Sequence, residues 1–211
     1  MQNFRTIKTE GSHEMDIKKS RFICHLKRTE TETAASAFIE SIKKEHWKAN
    51  HNCSAYILGE RQEIQRAHDD GEPSGTAGVP MLELLKKRNL NNVTAVVTRY
   101  FGGTKLGAGG LIRAYGGAVN DALSEIGIVE RQLHQFINVT VSYPMSGKLE
   151  NQLRQSDYLL QDISYTDQVG FNCVIPIESE ELFKQSVTEW TNGQGLFSIG
   201  KQAWIEVDAA D

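Results

Sequence analysis

Cysteine is scarce in this 211-residue sequence: Cys24, Cys53 and Cys173 are an odd number, widely spaced, and no two form a C-x-x-C pair. That leaves no disulfide framework and no zinc-ligand spacing, so buried free thiols are expected. No apolar run approaches the roughly 20 residues that cross a bilayer, and the N-terminal MQNFRTIKTEG carries no hydrophobic leader. A cytoplasmic protein with no membrane partner is expected. Low-complexity tracts and internal repeats are missing, as are the Walker G-x-x-x-x-G-K-[ST] and a complete G-x-G-x-x-G, so neither nucleotide motif applies and no cofactor is implied. Hydrophobic residues at 39% and charged residues at 24% instead match an ordinary globular chain.

The net charge of −4 argues at first sight against a nucleic-acid partner. It conceals an asymmetry. Residues 1–135 carry 19 Lys+Arg against 16 Asp+Glu, whereas residues 136–211 carry 4 against 11. The pattern changes at the same point, which predicts two domains, 1–135 and 136–211. The second reads as strand, helix, strand, strand, helix, strand. Ile137, Val139, Val141 and Tyr143 alternate, Pro144 opens a helix with Met145, Leu149 and Leu153 on one face, and a hairpin turns at Thr166-Asp167-Gln168. Leu182, Phe183, Val187 and Trp190 then form a helical stripe before a closing strand over 197–207. That order is the ferredoxin-like βαββαβ fold, which by itself carries no chemistry.

The first half is α+β in a less regular order. Strands are predicted over 4–9 and 14–26 around a turn at Gly11-Ser12, then a helix over 33–47 and a hairpin of 52–58 with 63–68. A turn-rich DDGEPSGTAGVP (69–80) precedes a short helix ending in Lys86-Lys87-Arg88. Val93 to Thr98 is a β-branched run fit for a central strand, followed by a glycine-rich loop and a helix ending near Gly127.

Between Lys86 and Asn120 lie six basic residues and no acidic one. A strand running through Arg99, Tyr100, Phe101, Gly102, Gly103, Thr104, Lys105, Gly107 and Gly109 into a helix bearing Arg113 presents free N–H groups and a positive dipole end, a receptor for phosphate. Gly116 and Gly117, inside that helix, cost about 1 kcal/mol each relative to alanine, which points to a close approach there. The alternative is that the glycines only ease helix–sheet packing and the cations are a solvated face. A second candidate is Asp69, Asp70 and Glu72, which either hold a magnesium ion or act as acid and base, or form an Asp-Gly turn and a helix cap. His51 and His68 lack a diagnostic metal spacing, and Cys53 beside His51 reads as a structural thiol more readily than as a nucleophile.

Four motifs, KSRFI (19–23), NHNCSAY (50–56), DDGEPSGTAGVP (69–80) and VVTRYFGGTKLGAGGLIRAYGGA (96–118), resemble the Impact family, and the whole chain is similar to its bacterial two-domain YigZ-type branch. The resemblance implies a first domain like the two-layer fourth domain of elongation factor G and a ferredoxin-like second domain like that factor's fifth. Both belong to a group rich in ribosome and RNA binders. Eukaryotic members restrain a translation-control kinase through an additional N-terminal domain, so that partner is not carried over. The proline dipeptidase label of some bacterial members finds no matching set of metal ligands. A non-enzymatic RNA- or ribosome-binding protein of translation is therefore expected, with Lys19, Arg21, Arg99, Lys105 and Arg113 on phosphates and Tyr100 and Phe101 stacking on bases. The acidic second domain is expected to face a protein partner. The competing expectation is an enzyme or sensor for a small phosphorylated ligand that uses the Asp69, Asp70 and Glu72 cluster with a metal ion.

Overall fold

Successive side chains of a strand point to opposite faces, and this parity organises the first sheet. In the computed structural model, which describes residues 3–209, five antiparallel strands lie in the order β2 (Gly11–Ile17), β3 (Ser20–Arg28), β6 (Val93–Tyr100), β4 (His51–Leu58) and β5 (Ile64–His68). Phe22, Cys24, Leu26, Cys53, Ala55, Ile57, Ala95 and Val97 share one core with residues of α2 (Gly78–Lys87) and α3 (Ala108–Ile126). Tyr56, Leu58 and Val96 point the other way, onto Ala35, Phe38, Ile39 and Ile42 of α1 (Glu32–Glu45). The helix-on-sheet layering expected from the sequence describes the α2–α3 side, and α1 adds cover on the opposite face.

The chain separates into two units, one running to Arg131 and taking in the residues from Val207, the other Gln132–Glu206. In the first, β1 (Phe4–Ile7) pairs antiparallel with Ile128–Arg131, the opening of β7 (Ile128–Val141). In the second, the rest of β7 is followed by α4 (Tyr143–Gln155), β8 (Leu159–Tyr165), β9 (Val169–Pro176), α5 (Glu180–Trp190) and β10 (Leu196–Asp208). The strand order β10-β7-β9-β8 with two intervening helices is the ferredoxin-like arrangement. Its core joins Ile137, Val139 and Val141 to Leu149, Leu153, Phe171, Phe183 and Val187.

One turn differs from expectation in a way that shapes the site. Gly11 and Ser12 lie inside β2, and the chain reverses instead at Lys18-Lys19, with φ angles of 46° and 68°. Ile17 pairs with Ser20, which leaves a two-residue loop, and such loops need positive φ to match the twist of their strands. The strand alternation of Gly11–Ile17 outweighs the local turn preference of Gly11-Ser12. The reversal then packs against the loop after β6, because a Cβ on Gly102 would stand 1.8 Å from the Lys19 carbonyl oxygen. Gly102→Ala is therefore expected to lower stability by about 2–4 kcal/mol, through backbone overlap that no rotamer relieves. Lys18→Gly, which removes a left-handed L-residue, should raise it by about 1 kcal/mol. Urea unfolding of the two variants against the parent checks both signs.

Candidate functional site

The DDGEPSGTAGVP turn distributes its three carboxylates to three different tasks. Asp69 accepts from the backbone N–H of Gly75 at 2.8 Å, Ala77 at 3.1 Å and Gly78 at 2.9 Å. Ala77, at the start of α2, has no side chain to cap it, so Asp69 reaches forward to satisfy the helix's first donors. Asp70 accepts from Asn52 N–H at 2.7 Å and pairs with Lys43 at 3.0 Å. Glu72 turns inward. Among the described residues no three His, Cys, Asp or Glu side chains are grouped as a metal ion requires, and the expected Asp69, Asp70 and Glu72 cluster is not assembled because each carboxylate is engaged elsewhere.

Burial alone would raise the Asp69 carboxyl, but the bonds from Gly75, Gly78 and Ala77 outweigh it and hold its pKa below the ordinary aspartate value. A depressed folded-state pKa contributes stability that is present above the unfolded value and is lost as pH falls through the folded one. Asp69→Asn is thus expected to cost about 1–2 kcal/mol near neutral pH, with the gap from the parent closing in acid. Melting curves from pH 7 down to pH 3 test it.

Strand parity sends Arg99 to the same face as Val97 and Ala95, into the core, where a lone cation is not tolerated. Its Nη1 lies 2.7 Å from Glu72 Oε1, with side-chain exposures of 6% and 3%. Tyr115 of α3 donates its hydroxyl to the same oxygen at 2.7 Å. The Arg99 guanidinium also lies 5.5 Å from the ring centre of Phe22 and 5.4 Å from that of Phe101, while its Nε–H has no partner. Burial pushes the Tyr115 hydroxyl well above the ordinary tyrosine range, assisted by Cys53 and Glu72.

Beside this pair opens a cleft of about 440 Å³, lined in part by His51, Glu72, Arg99, Phe101, Lys105 and Gly107. The 69–76 turn and the 99–113 segment therefore meet. His51 Nδ1 lies 2.9 Å from the Asp70 carbonyl oxygen and its Nε2 3.8 Å from Glu72 Oε2. At the cleft mouth α3 begins after Gly107, φ 72°, with no side-chain cap, so its first backbone N–H groups have no intrahelical acceptor. Lys105 and Arg113 are exposed, and an Arg113 Nη1 lies 3.9 Å from where a Cβ of Gly109 would stand, near the helix start. Among the described residues neither cation has an ion-pair partner.

The remaining predicted site residues do different work. Arg21 pairs with Glu14 at 2.7 Å and lies over the Tyr100 ring, whose hydroxyl is 2.9 Å from His46 Nδ1. Tyr100 has the parity of Val96 and so faces α1, away from the cleft, whereas Phe101 is 44% exposed and lines it. Two of the loop amides are already used: Phe101 N–H donates to Asn50 Oδ1 at 2.8 Å and Gly102 N–H to Ser20 Oγ at 3.2 Å. Gly102 is required by the Lys19 backbone, while Gly103 and Gly107 take positive φ in open space. Thr104 is exposed. Gly116 and Gly117 correct another expectation, since an added Cβ would meet nothing closer than 3.9 Å and 4.0 Å respectively. His51, Glu72 and Tyr115 were not anticipated as one group, although the inward parity of Arg99 called for a buried counter-charge.

Cys53 donates to the Asp69 carbonyl at 2.9 Å, and burial pushes its thiol up to about 12 despite the neighbouring Tyr115 hydroxyl. It is not a nucleophile at neutral pH. Cys24 and Cys173 are buried as well, so a colourimetric thiol reagent at pH 8 is expected to label the chain only after denaturant is added. Labelling of the native fold at the rate of a free thiol would contradict this.

Fold and site together define a two-unit α/β protein with a cationic cleft in its first unit. Residues 18–123 match the Impact N-terminal domain and residues 139–194 a domain of unknown function, DUF1949. The chain is 52% identical over 206 residues to IMPACT family member YvyE of Bacillus subtilis (strain 168), covering 98% of this chain and 95% of that protein. It is 37% identical over 180 residues to IMPACT family member YigZ of Escherichia coli (strain K12), covering 84% and 88%. A crystal structure described as that of a hypothetical protein superposes with a TM-score of 0.60 at 33% identity, over 95% of this chain and 98% of its own. This chain belongs to the Impact family, in the company of its YigZ-type members. No helix among the described residues is long and apolar enough to cross a membrane.

Proposed function

We propose that this Impact-family protein binds single-stranded RNA, free or on the ribosome, as a non-enzymatic factor in translation. The observation that carries the reading is the uncapped start of α3 at the cleft, which stands with Lys105 on the cleft lining and with Arg113 reaching back toward Gly109, two exposed cations without carboxylate partners among the described residues. Unpaired N–H groups, a helix dipole and two formal charges favour phosphate oxygens together, where each alone is weak. Phe101 offers an exposed aromatic surface beside them. Lys19, at the hairpin tip against Gly102, extends the cationic rim.

Arg99 and Arg21 are not among the phosphate contacts, since Glu72 and Glu14 already neutralise them. The competing reading, a metal-dependent site for a small phosphorylated ligand, draws no support from carboxylates committed to a helix cap, a lysine and an arginine. Binding of a labelled single-stranded RNA across a salt series tests the proposal. Lys105→Ala and Arg113→Ala should each weaken binding several-fold and flatten the slope of log K against log salt by roughly 0.7. Affinity that is absent, or indifferent to both substitutions, would overturn it. Arg99→Ala is the wrong probe, because it leaves Glu72 buried without its counter-charge, at a cost of about 3–5 kcal/mol.

A further inference from the structure

The inner wall of the cleft carries a buried carboxylate oxygen and an imidazole nitrogen, in contrast to the lysine and amide donors at its mouth. His51 Nδ1 lies at hydrogen-bond distance from a backbone carbonyl oxygen, so that nitrogen donates its proton there, and Nε2 is the ring nitrogen left to meet a ligand. Glu72 Oε1 already accepts from Arg99 and Tyr115, whereas Oε2 accepts no hydrogen bond among the described residues. The 3.8 Å between Nε2 and Oε2 is too long for a direct bond. Glu72 Oε2 and His51 Nε2 therefore stand side by side on the lining of one cleft with no hydrogen bond between them. Arg99, 5% exposed, lines the same cleft with its Nε–H unpartnered, a buried donor that lacks an acceptor.

A ligand bearing two adjacent hydroxyls, each able to donate and to accept, meets both atoms, donating to the one on Glu72. Resting on the phosphate-binding reading above, we infer that Glu72 Oε2 accepts from one hydroxyl of a ribose cis-diol and His51 Nε2 hydrogen-bonds the other, so that the cleft takes the 3′-terminal ribonucleotide of an RNA strand. A carboxylate on ribose hydroxyls is established chemistry in nucleotide sites, and the 2′-hydroxyl is the group by which a protein tells RNA from DNA. The volume of about 440 Å³ falls in the range of sites that enclose one small ligand. It has no room for a duplex. The phosphate of the terminal nucleotide then lies toward Lys105 and the α3 start, and its base toward Phe101.

Because Glu72→Gln would also disturb the buried ion pair, the test varies the ligand on the unaltered protein. Anisotropy is measured with one 5′-labelled oligoribonucleotide whose 3′ end is either unmodified or 2′,3′-dideoxy, with the matching DNA, and with AMP as competitor. The unmodified end is expected to bind roughly tenfold more tightly than the dideoxy end, the worth of a hydrogen bond to a charged group. His51→Ala, checked for folding by circular dichroism, should shrink that ratio. Equal affinity for both ends, with binding still salt-sensitive and dependent on Lys105, would overturn the diol inference and leave the phosphate reading standing. No binding of any oligonucleotide would overturn both. AMP binding as tightly as the strand would overturn the assignment to a strand end in favour of a free mononucleotide.

Discussion

The buried ion pair between Arg99 and Glu72 is the interaction on which the site depends. Strand parity forces the guanidinium toward the interior, and a charge removed from water needs a partner at contact distance. Glu72 supplies it at 2.7 Å, and to do so the turn from Asp69 to Gly78 must fold back over the end of β6. Asp69 holds that turn by collecting three backbone donors at the head of α2. Tyr115 ties the same carboxylate oxygen to α3. One carboxylate thus anchors a strand, a turn and a helix to one another.

Pairing also sets the field in the cleft. A stretch that carries no acid in sequence is not free of acid in space, because Arg99 meets Glu72 and Lys86 meets Glu83 at 2.9 Å. Among the described residues Lys87, Arg88, Lys105 and Arg113 have no carboxylate at ion-pair distance, and Lys105 and Arg113 are the two of these near the start of α3. Surface ion pairs such as Lys86–Glu83 contribute little to stability, but they remove cations from the pool available to a ligand. The electropositive patch is therefore smaller than the six basic residues imply, and the part of it beside the start of α3 is reinforced by backbone donors.

Much of the fold was legible because the hydrophobic periods were clean. Ile137, Val139 and Val141 alternate, Leu149 and Leu153 are one helical turn apart, and both patterns become core. The Gly11-Ser12 turn failed because glycine and serine are turn formers only where the surrounding alternation permits it, and here β2 pairs with β3 from Gly11 through Ile17. The catalogue of site residues was legible by type but not by partner. Glu72 and Arg99 are 27 residues apart, and nothing in a local motif specifies that pairing. Parity carried an unused signal: Arg99 follows Val97 on the buried face and Tyr100 follows Val96 on the other, so the two could not serve one surface. The tight Gly102 contact was hidden for the same reason, since it depends on where a distant hairpin turns.

The two walls of the cleft divide hydrogen-bonding roles. Lys105 and the first amides of α3 offer only donors, whereas Glu72 Oε2 offers an acceptor beside His51 Nε2. A ligand that is anionic at one end and hydroxylic at the other has one favourable orientation between such walls, and reversing it opposes like with like at both ends. The Glu72–Arg99 pair supports this polarity, because it engages Arg99 Nη1 and neutralises a cation that would otherwise dominate the inner wall, leaving its Nε–H as a donor there. Orientation in this cleft thus follows from a neutralised charge as much as from Lys105, which has no ion-pair partner among the described residues.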